Sequence, residues 1–294
     1  MSKRLAWFVS AVMLFGVMGG IGLPASAAEK VHAVRRLFST SEEITSICIQ
    51  ENNASVTIRP GEGGQTRVSY ADTSEEKLYN ISVKDGTLVV EKLKENPRET
   101  IIVNKTTHNT SQTAGFSRFS SEDEYRLEIT VPQKQYESIT ITNASNGCAE
   151  LDSISANNIS VQLKAGYAKL SQTKSNCLDA ELDKGYITLD SISSPNISVQ
   201  LTAGYAELSQ TKSNRFDAEI DKGYITLDDT DSLQYDLKVE TGKITGSVLG
   251  RKDDYSIEQS MEHGLSNLTS RAVSGSRVMK LDLGTGFVDI DFAG

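Results

Sequence analysis

Eight glycines set at near-constant intervals limit what this chain can fold into more than any other feature. Gly147, Gly166, Gly185, Gly204, Gly223 and Gly242 each lie 19 residues after the last, and Gly264 and Gly286 follow at intervals of 22. A longer period overlies the shorter one. Residues 153–190 and 191–228 match without a gap at 31 of 38 positions, so that ISVQLKAGYAKLSQTKSN returns as ISVQLTAGYAELSQTKSN and DAELDKGYITLD returns as DAEIDKGYITLD. Repetition at a fixed period of this size marks an array in which one supersecondary unit is stacked many times.

Each unit alternates with period two on both sides of its glycine, which predicts strands rather than helices. Before the glycine the apolar series runs Ile159/Val161/Leu163, Leu178/Ala180/Leu182, Ile197/Val199/Leu201, Phe216/Ala218/Ile220, Tyr235/Leu237/Val239 and Met279/Leu281/Leu283; the series Ile257/Gln259/Met261 breaks once. After the glycine, inward positions fall two and four residues on, as in Ala168/Leu170 and Ile187/Leu189, with a further one held by Ile154, Thr173, Ile192 and Thr211. Nineteen residues hold two strands of about five residues and two turns, one coil of a solenoid. The expected fold is therefore all-β: a parallel, β-helix-like solenoid with coils of 19–22 residues. The eight glycines are its corner positions, where positive φ or a close backbone approach is easy only without a Cβ. A second turn is expected near Asn157, Asn176, Pro195 and Asn214, because asparagine tolerates left-handed backbone and bonds locally.

The doubled period has a packing reason. Coils with Val161 or Val199 before the glycine carry Ala168 or Ala206 after it, whereas Ala180 and Ala218 are matched by Ile187 and Ile225. Large opposite small keeps interior volume constant. Outside, Ser160/Gln162 and Ser198/Gln200 alternate with Asp179/Glu181/Asp183 and Asp217/Glu219/Asp221. Neutral coils thus hold acidic ones roughly 10 Å apart instead of 5 Å, which halves their repulsion before salt screens it.

Less regular β-structure precedes the repeats. Expected strands are Ile44–Gln50, Ser55–Arg59, Thr66–Tyr70, Leu78–Lys84, Thr87–Lys92 and Tyr125–Val131, with turns at Pro60–Gly64 and Lys84–Gly86. Asn104–Ser121, rich in Thr, Ser and Asn, reads as an excursion. No linker divides 44–135 from 136–294, so one continuous domain over 44–294 is expected.

The first residues read as an export signal, which places the protein outside the cell or at its surface. Lys3 and Arg4 precede an apolar stretch from Leu5 to Leu23, and Ala25-Ser26-Ala27 is a small-x-small site with cleavage expected after Ala27; an uncleaved membrane anchor is the alternative. Residues 28–43 form a leader-proximal segment. Removing 1–27 takes away two basic residues and no acidic ones, leaving 28 basic against 39 acidic residues, a net charge of −11. That disfavours nucleic acid and anionic lipid as partners, since both need a basic face. Cys48, Cys148 and Cys177 are an odd set at irregular spacing, which describes no disulfide framework, although one pair remains open.

The outward column Tyr167, Tyr186, Tyr205 and Tyr224, each directly after a corner glycine, is the candidate binding feature. Its rings can stack on one another, or they can serve as a platform for sugars or aromatic groups of a partner. The acidic columns invite calcium, but calcium needs six to eight converging oxygens, and alternating strand positions one coil apart do not converge. No metal or cofactor is expected. His32, His108 and His263 stand apart, and nucleophile-elbow, zincin and phosphate-loop patterns are absent. Polysaccharide-active enzymes also use β-helices, yet their grooves rely on basic clusters that this face lacks.

The segment YRLEITVPQKQYESITITNASNGCAEL, a strand ending in Val-Pro followed by strand–Gly–strand units, resembles the bacterial putative-adhesin family of unknown function, and NNASVTIRPGEGGQTRVSY and ISVKDGTLVVEK are similar to its opening strands. The resemblance spans residues 44–292. It implies a secreted or surface β-repeat protein with an adhesive role and supplies no catalytic residues. The expected function is non-catalytic binding to envelope polymer, glycan or protein. The alternatives are an envelope-stress or self-assembling scaffold, with end-to-end association at an uncovered last coil, and a polysaccharide-active enzyme. If the aliphatic series is the core, Ile187→Asp should cost about 4 kcal/mol or more, while Thr188→Asp should cost no more than about 0.5 kcal/mol. Thermal unfolding of the two variants checks this.

Overall fold

Period-two alternation puts one edge of every segment toward a common interior, and the chain answers with strands almost throughout. The computed structural model describes residues 32–95, 125–273 and 277–294; the export segment 1–27, His108 and the stretch 104–121 lie outside them. The protein is all-β and β-solenoid-like, with no α-helix among the described residues. The described residues form fourteen strands, in order: β1 (Ala33–Thr40), β2 (Ser46–Glu51), β3 (Val56–Pro60), β4 (Thr66–Thr73), β5 (Tyr79–Lys84), β6 (Thr87–Lys92), β7 (Leu127–Val131), β8 (Gln135–Asp152), β9 (Ser155–Ser171), β10 (Lys174–Asp190), β11 (Asn196–Ser209), β12 (Lys212–Leu249), β13 (Tyr255–Ser266) and β14 (Arg277–Ala293). All six strands expected between 44 and 131 occur, with ends shifted by a residue or a few. β1, in the leader-proximal segment, was not foreseen.

β8 to β12 lie side by side in parallel, Gly166 against Gly185, Gly185 against Gly204 and Gly204 against Gly223. The aliphatic residues of the inward series within 159–227 are at most 4% exposed, while Ala165 and Ala203, beside the corner glycines, are half-buried. The corner glycines fill two requirements together. Gly185 and Gly204 have φ of +140° and +149°, and a Cβ on either would fall on the carbonyl oxygen of the glycine one layer before. Gly147 differs: its φ is not in that region, but a Cβ there would collide with the Asn143 side chain.

The expected two-turn coil is corrected in one respect, because each repeat has three corners. The left-handed residues are Ser153, Gln172, Ser191, Gln210 and Asp229, with φ between 48° and 57°, four residues ahead of the asparagine column. At Asn157/Asn158, Asn176/Cys177, Pro195/Asn196 and Asn214/Arg215, two consecutive exposed residues reverse the inward parity, which makes a third corner; the backbone there stays extended except at Pro195, which forms a bend. The short side between these corners buries Ile154, Thr173, Ile192 and Thr211. Beside the left-handed corner, Ser171 Oγ donates to Asp152 Oδ1 at 2.9 Å and Ser209 Oγ to Asp190 Oδ1 at 2.8 Å. Alternating serine with aspartate gives Asp152 and Asp190 a donor in the next layer, where an all-aspartate column would repel itself. This is a second reason for the 38-residue period.

Layer order departs from chain order at both ends. β14 pairs with β12 on one side, Gly242 against Gly286, and with β13 on the other, Gly286 against Gly264. β14 is therefore enclosed from Arg277 to Val288. Beyond Val288 no described strand pairs with its outer side, where the Asn267 side chain exchanges hydrogen bonds of 3.0 and 3.1 Å with Ile290, so the expected open edge is covered in part. β13 is outermost. The chain after it folds back, Ile257 and Arg271 exchanging backbone hydrogen bonds of 2.8 Å, and the polar Gln259 of the broken apolar series belongs to this last layer. At the other end β2 and β3 pair with β8 on one side, and with β6 and β7 respectively on the other. Antiparallel β5, β4 and β1 finish that end.

Because the glycine column combines positive φ with backbone contact, Gly204→Ala should lose about 3 kcal/mol or more. Gly63, with φ of +89° and nothing within 4 Å of a Cβ, is the control: Gly63→Ala should lose about 1–2 kcal/mol. Denaturant midpoints of the two variants decide, and equal losses would refute the contact argument.

Candidate functional site

The tyrosine column is set by the corner. Each residue directly after a glycine points outward, and parallel register brings Cys148, Tyr167, Tyr186, Tyr205 and Tyr224 into line, continued by Lys243, Phe287 and Leu265. Tyr186, Tyr205 and Tyr224 are 43%, 42% and 37% exposed, and Leu265 is 72% exposed. Tyr186 and Tyr205 stack with centroids 5.0 Å apart and planes 10° from parallel, and Tyr224 lies 5.0 Å from Tyr205 at 60°. Lys243 Nζ sits 5.4 Å from the centroid of the Tyr224 ring. Tyr167 is half-buried and donates to Thr188 Oγ1 at 3.3 Å. The stacked rings turn their faces to each other, so the edges and hydroxyls form the surface of the column.

Part of the acidic columns is engaged by basic residues of the same or the next layer. Lys238 Nζ meets Glu219 Oε1 at 2.6 Å, and Arg215 bridges Asp217 at 2.6 Å and Asp236 at 3.5 Å. Among the described residues no three His, Cys, Asp or Glu side chains converge as metal ligands. None of Cys48, Cys148 and Cys177 forms a disulfide. No described helix is long and apolar enough to cross a membrane.

The structure also brings together charged residues that the repeat analysis passed over. Glu51, at the end of β2, is 2% exposed. Its carboxylate accepts the backbone N–H groups of Asn52, Asn53 and Ala54 at 3.1–3.4 Å, accepts the Tyr79 hydroxyl at 2.7 Å and lies 3.5 Å from Lys92 Nζ. The Lys92 and Glu51 side chains are 1% and 0% exposed, and Lys92 Nζ also sits 3.9 Å above the Tyr79 ring. Burial lowers the Lys92 pKa against the opposing pull of Glu51. The signal was in the alternation. Ile47/Ile49/Glu51, Leu88/Val90/Lys92 and Ile139/Ile141/Asn143 each end an inward series on a polar residue where the repeats have leucine, isoleucine or valine.

Buried phenols give this core an alkaline limit. Burial, followed by the Glu51 carboxylate, raises the pKa of Tyr79, burial raises that of Tyr235, and burial pushes Tyr136 up to about 12. In the unfolded chain these groups ionise at the ordinary 10.0. Their contribution is therefore complete below pH 10.0 and declines as pH rises toward the folded values. The urea midpoint should fall between pH 10 and about 12, and less steeply in Tyr136→Phe. A level midpoint across that window would contradict the burial of these hydroxyls.

Comparison with known proteins follows the fold. No curated protein matches the chain in sequence. Among solved structures, a putative adhesin from Bacteroides fragilis superposes with a TM-score of 0.54 at 13% identity, covering 87% of this chain and 97% of that one. A putative adhesin from Parabacteroides merdae gives 0.38 at 10% identity, with 87% and 96% covered, and a putative cell adhesion protein from Clostridium sporogenes gives 0.28 at 12%, with 89% and 100% covered. The first similarity establishes a shared fold and nothing finer. A family model described as Toastrack DUF4097 matches residues 44–282. With most of its length matched, the chain belongs to the Toastrack DUF4097 family.

Proposed function

We propose that this protein is exported, is held at or near the cell surface, and works there as a non-catalytic binding module. In this reading residues 44–294 are one continuous domain, an irregular β part over 44–135 followed by a parallel β-solenoid over 136–294 with coils of 19–22 residues, and the partner is an envelope polymer, a glycan or a protein surface. The supporting observation is the register of Tyr186, Tyr205 and Tyr224, exposed side by side. Large aromatic side chains kept in water on a rigid scaffold lose little conformational entropy on contact, and their hydroxyls add hydrogen bonds. The reading coincides with the role named for the Bacteroides fragilis neighbour.

Self-association is the second reading, and the outer edge of β13 favours it. Beyond the fold-back pairing at Ile257, that edge continues to the exposed Gly264 and Leu265. Glu258 and Glu262 are exposed on the same strand and act against edge pairing.

Replacing Tyr186 and Tyr205 together by serine tests the first reading. Retention on purified cell wall should fall at least tenfold, with the melting temperature lowered by only a few degrees. Undiminished retention, or loss of folding without a folded variant that fails to bind, would argue for stacking as the sole role of the column.

A further inference from the structure

The polar inner column at the β2 end of the stack forms the floor of a trench. Lys92, Glu51 and Asn143 occupy successive layers there, and the next member of the column is Leu163. The register shift between Asn143 and Asn146 sets Ala144 and Ser145 opposite the single residue Lys164, a bulge just before the corner, which itself stays in line at Gly147 and Gly166. An open cavity of about 540 Å³ results, spanning layers from β6 through β2, β8 and β9 to β10. Five layers at strand spacing extend over roughly 19 Å.

The walls carry hydrogen-bonding side chains. Along one wall Gln50, Thr142, Gln162 and Glu181 stand in register, Gln162 Nε2 donating to Glu181 Oε2 at 3.4 Å. Asn52, Lys164 and Asp183 line the other. Burying an ion pair and an amide where leucine fits every neighbouring repeat costs desolvation that a purely structural column would not incur. A concave site with convergent polar groups over buried ionisable residues is the arrangement expected of a ligand site.

From these features we infer that the trench is a binding site for an oligosaccharide carrying free amino groups. A peptide adding itself as a strand would need an open sheet edge, but β2, β6, β8, β9 and β10 are each paired on both sides. Recognition therefore rests on side chains. Amides, a hydroxyl and carboxylates spaced along a trench suit a chain of hydroxyl-bearing rings. Glu51 and Lys92 neutralise each other, which leaves Glu91, Glu181 and Asp183 against Lys164, so the local field favours a cationic ligand. This inference rests on the reading of the chain as a binding module but not on the tyrosine column, which lies beyond the glycine corner.

Calorimetric titration of the full chain with glucosamine oligomers, their N-acetylated counterparts and glucose oligomers of equal length tests it. The glucosamine series should bind saturably and at least tenfold more tightly than the other two. Glu181→Gln with Asp183→Asn, both exposed positions, should weaken that binding tenfold or more without moving the melting temperature, whereas Tyr186→Ser with Tyr205→Ser should leave it intact. No saturable heat from any series, equal affinity for all three, or indifference to the carboxylate substitutions would overturn the assignment. Loss of cell-wall retention in the tyrosine variant alone would leave the module reading standing while this site fails.

Discussion

Contact between glycine backbones at the corners governs the rest of this structure. The carbonyl oxygen of each corner glycine reaches the Cα of the glycine in the next layer so closely that a methyl group cannot enter. A displacement by one residue would place a side chain on that contact and would also turn the aliphatic series out to solvent. The two penalties coincide, so strand register is fixed twice over. Everything that depends on alignment follows from it: the unbroken core, the serine–aspartate pairs at the left-handed corner, and the aromatic row outside.

Alternation of residue types between layers then removes the conflicts that alignment creates. Perfectly repeated layers would place carboxylate over carboxylate and valine over valine. Alternating serine with aspartate supplies hydrogen bonds between layers, as in Ser209 to Asp190, and alternating alanine with valine and isoleucine keeps the interior filled while Ala180, Val199 and Ile187 all stay buried. Among the exposed columns the tyrosines stay unchanged through four layers, and the close ring contacts at 5.0 Å show that aromatic groups tolerate identical stacking where charges do not.

The sequence made the periodic part of the fold legible because period-two burial and glycine spacing are local signals. Position within a period was harder to read. Ser153 and Gln172 carry left-handed backbone although the nearby asparagines are the commoner residues for it, since the corner geometry, and not residue preference, selects the conformation. The order of the outer layers could not be read at all. β13 and β14 both carry the corner glycine and equivalent inward positions, so either would fit against β12, and the choice depends on long-range pairing that no local pattern records. The polar column of Glu51, Lys92 and Asn143 was visible only as interruptions in three separate alternations, whose meeting depends on that same layer order.

The enclosed position of β14 bears on how such a chain can change length. From Arg277 to Val288 that strand has neighbours on both sides, and the outermost described layer, β13, belongs to an earlier part of the polypeptide. A repeat inserted in the middle leaves this arrangement undisturbed. The near-identical copies 153–190 and 191–228 lie there, and a tandem copy of two layers restores the same alternation at each junction. The two finished ends can thus be inherited unchanged while the span between them is reset.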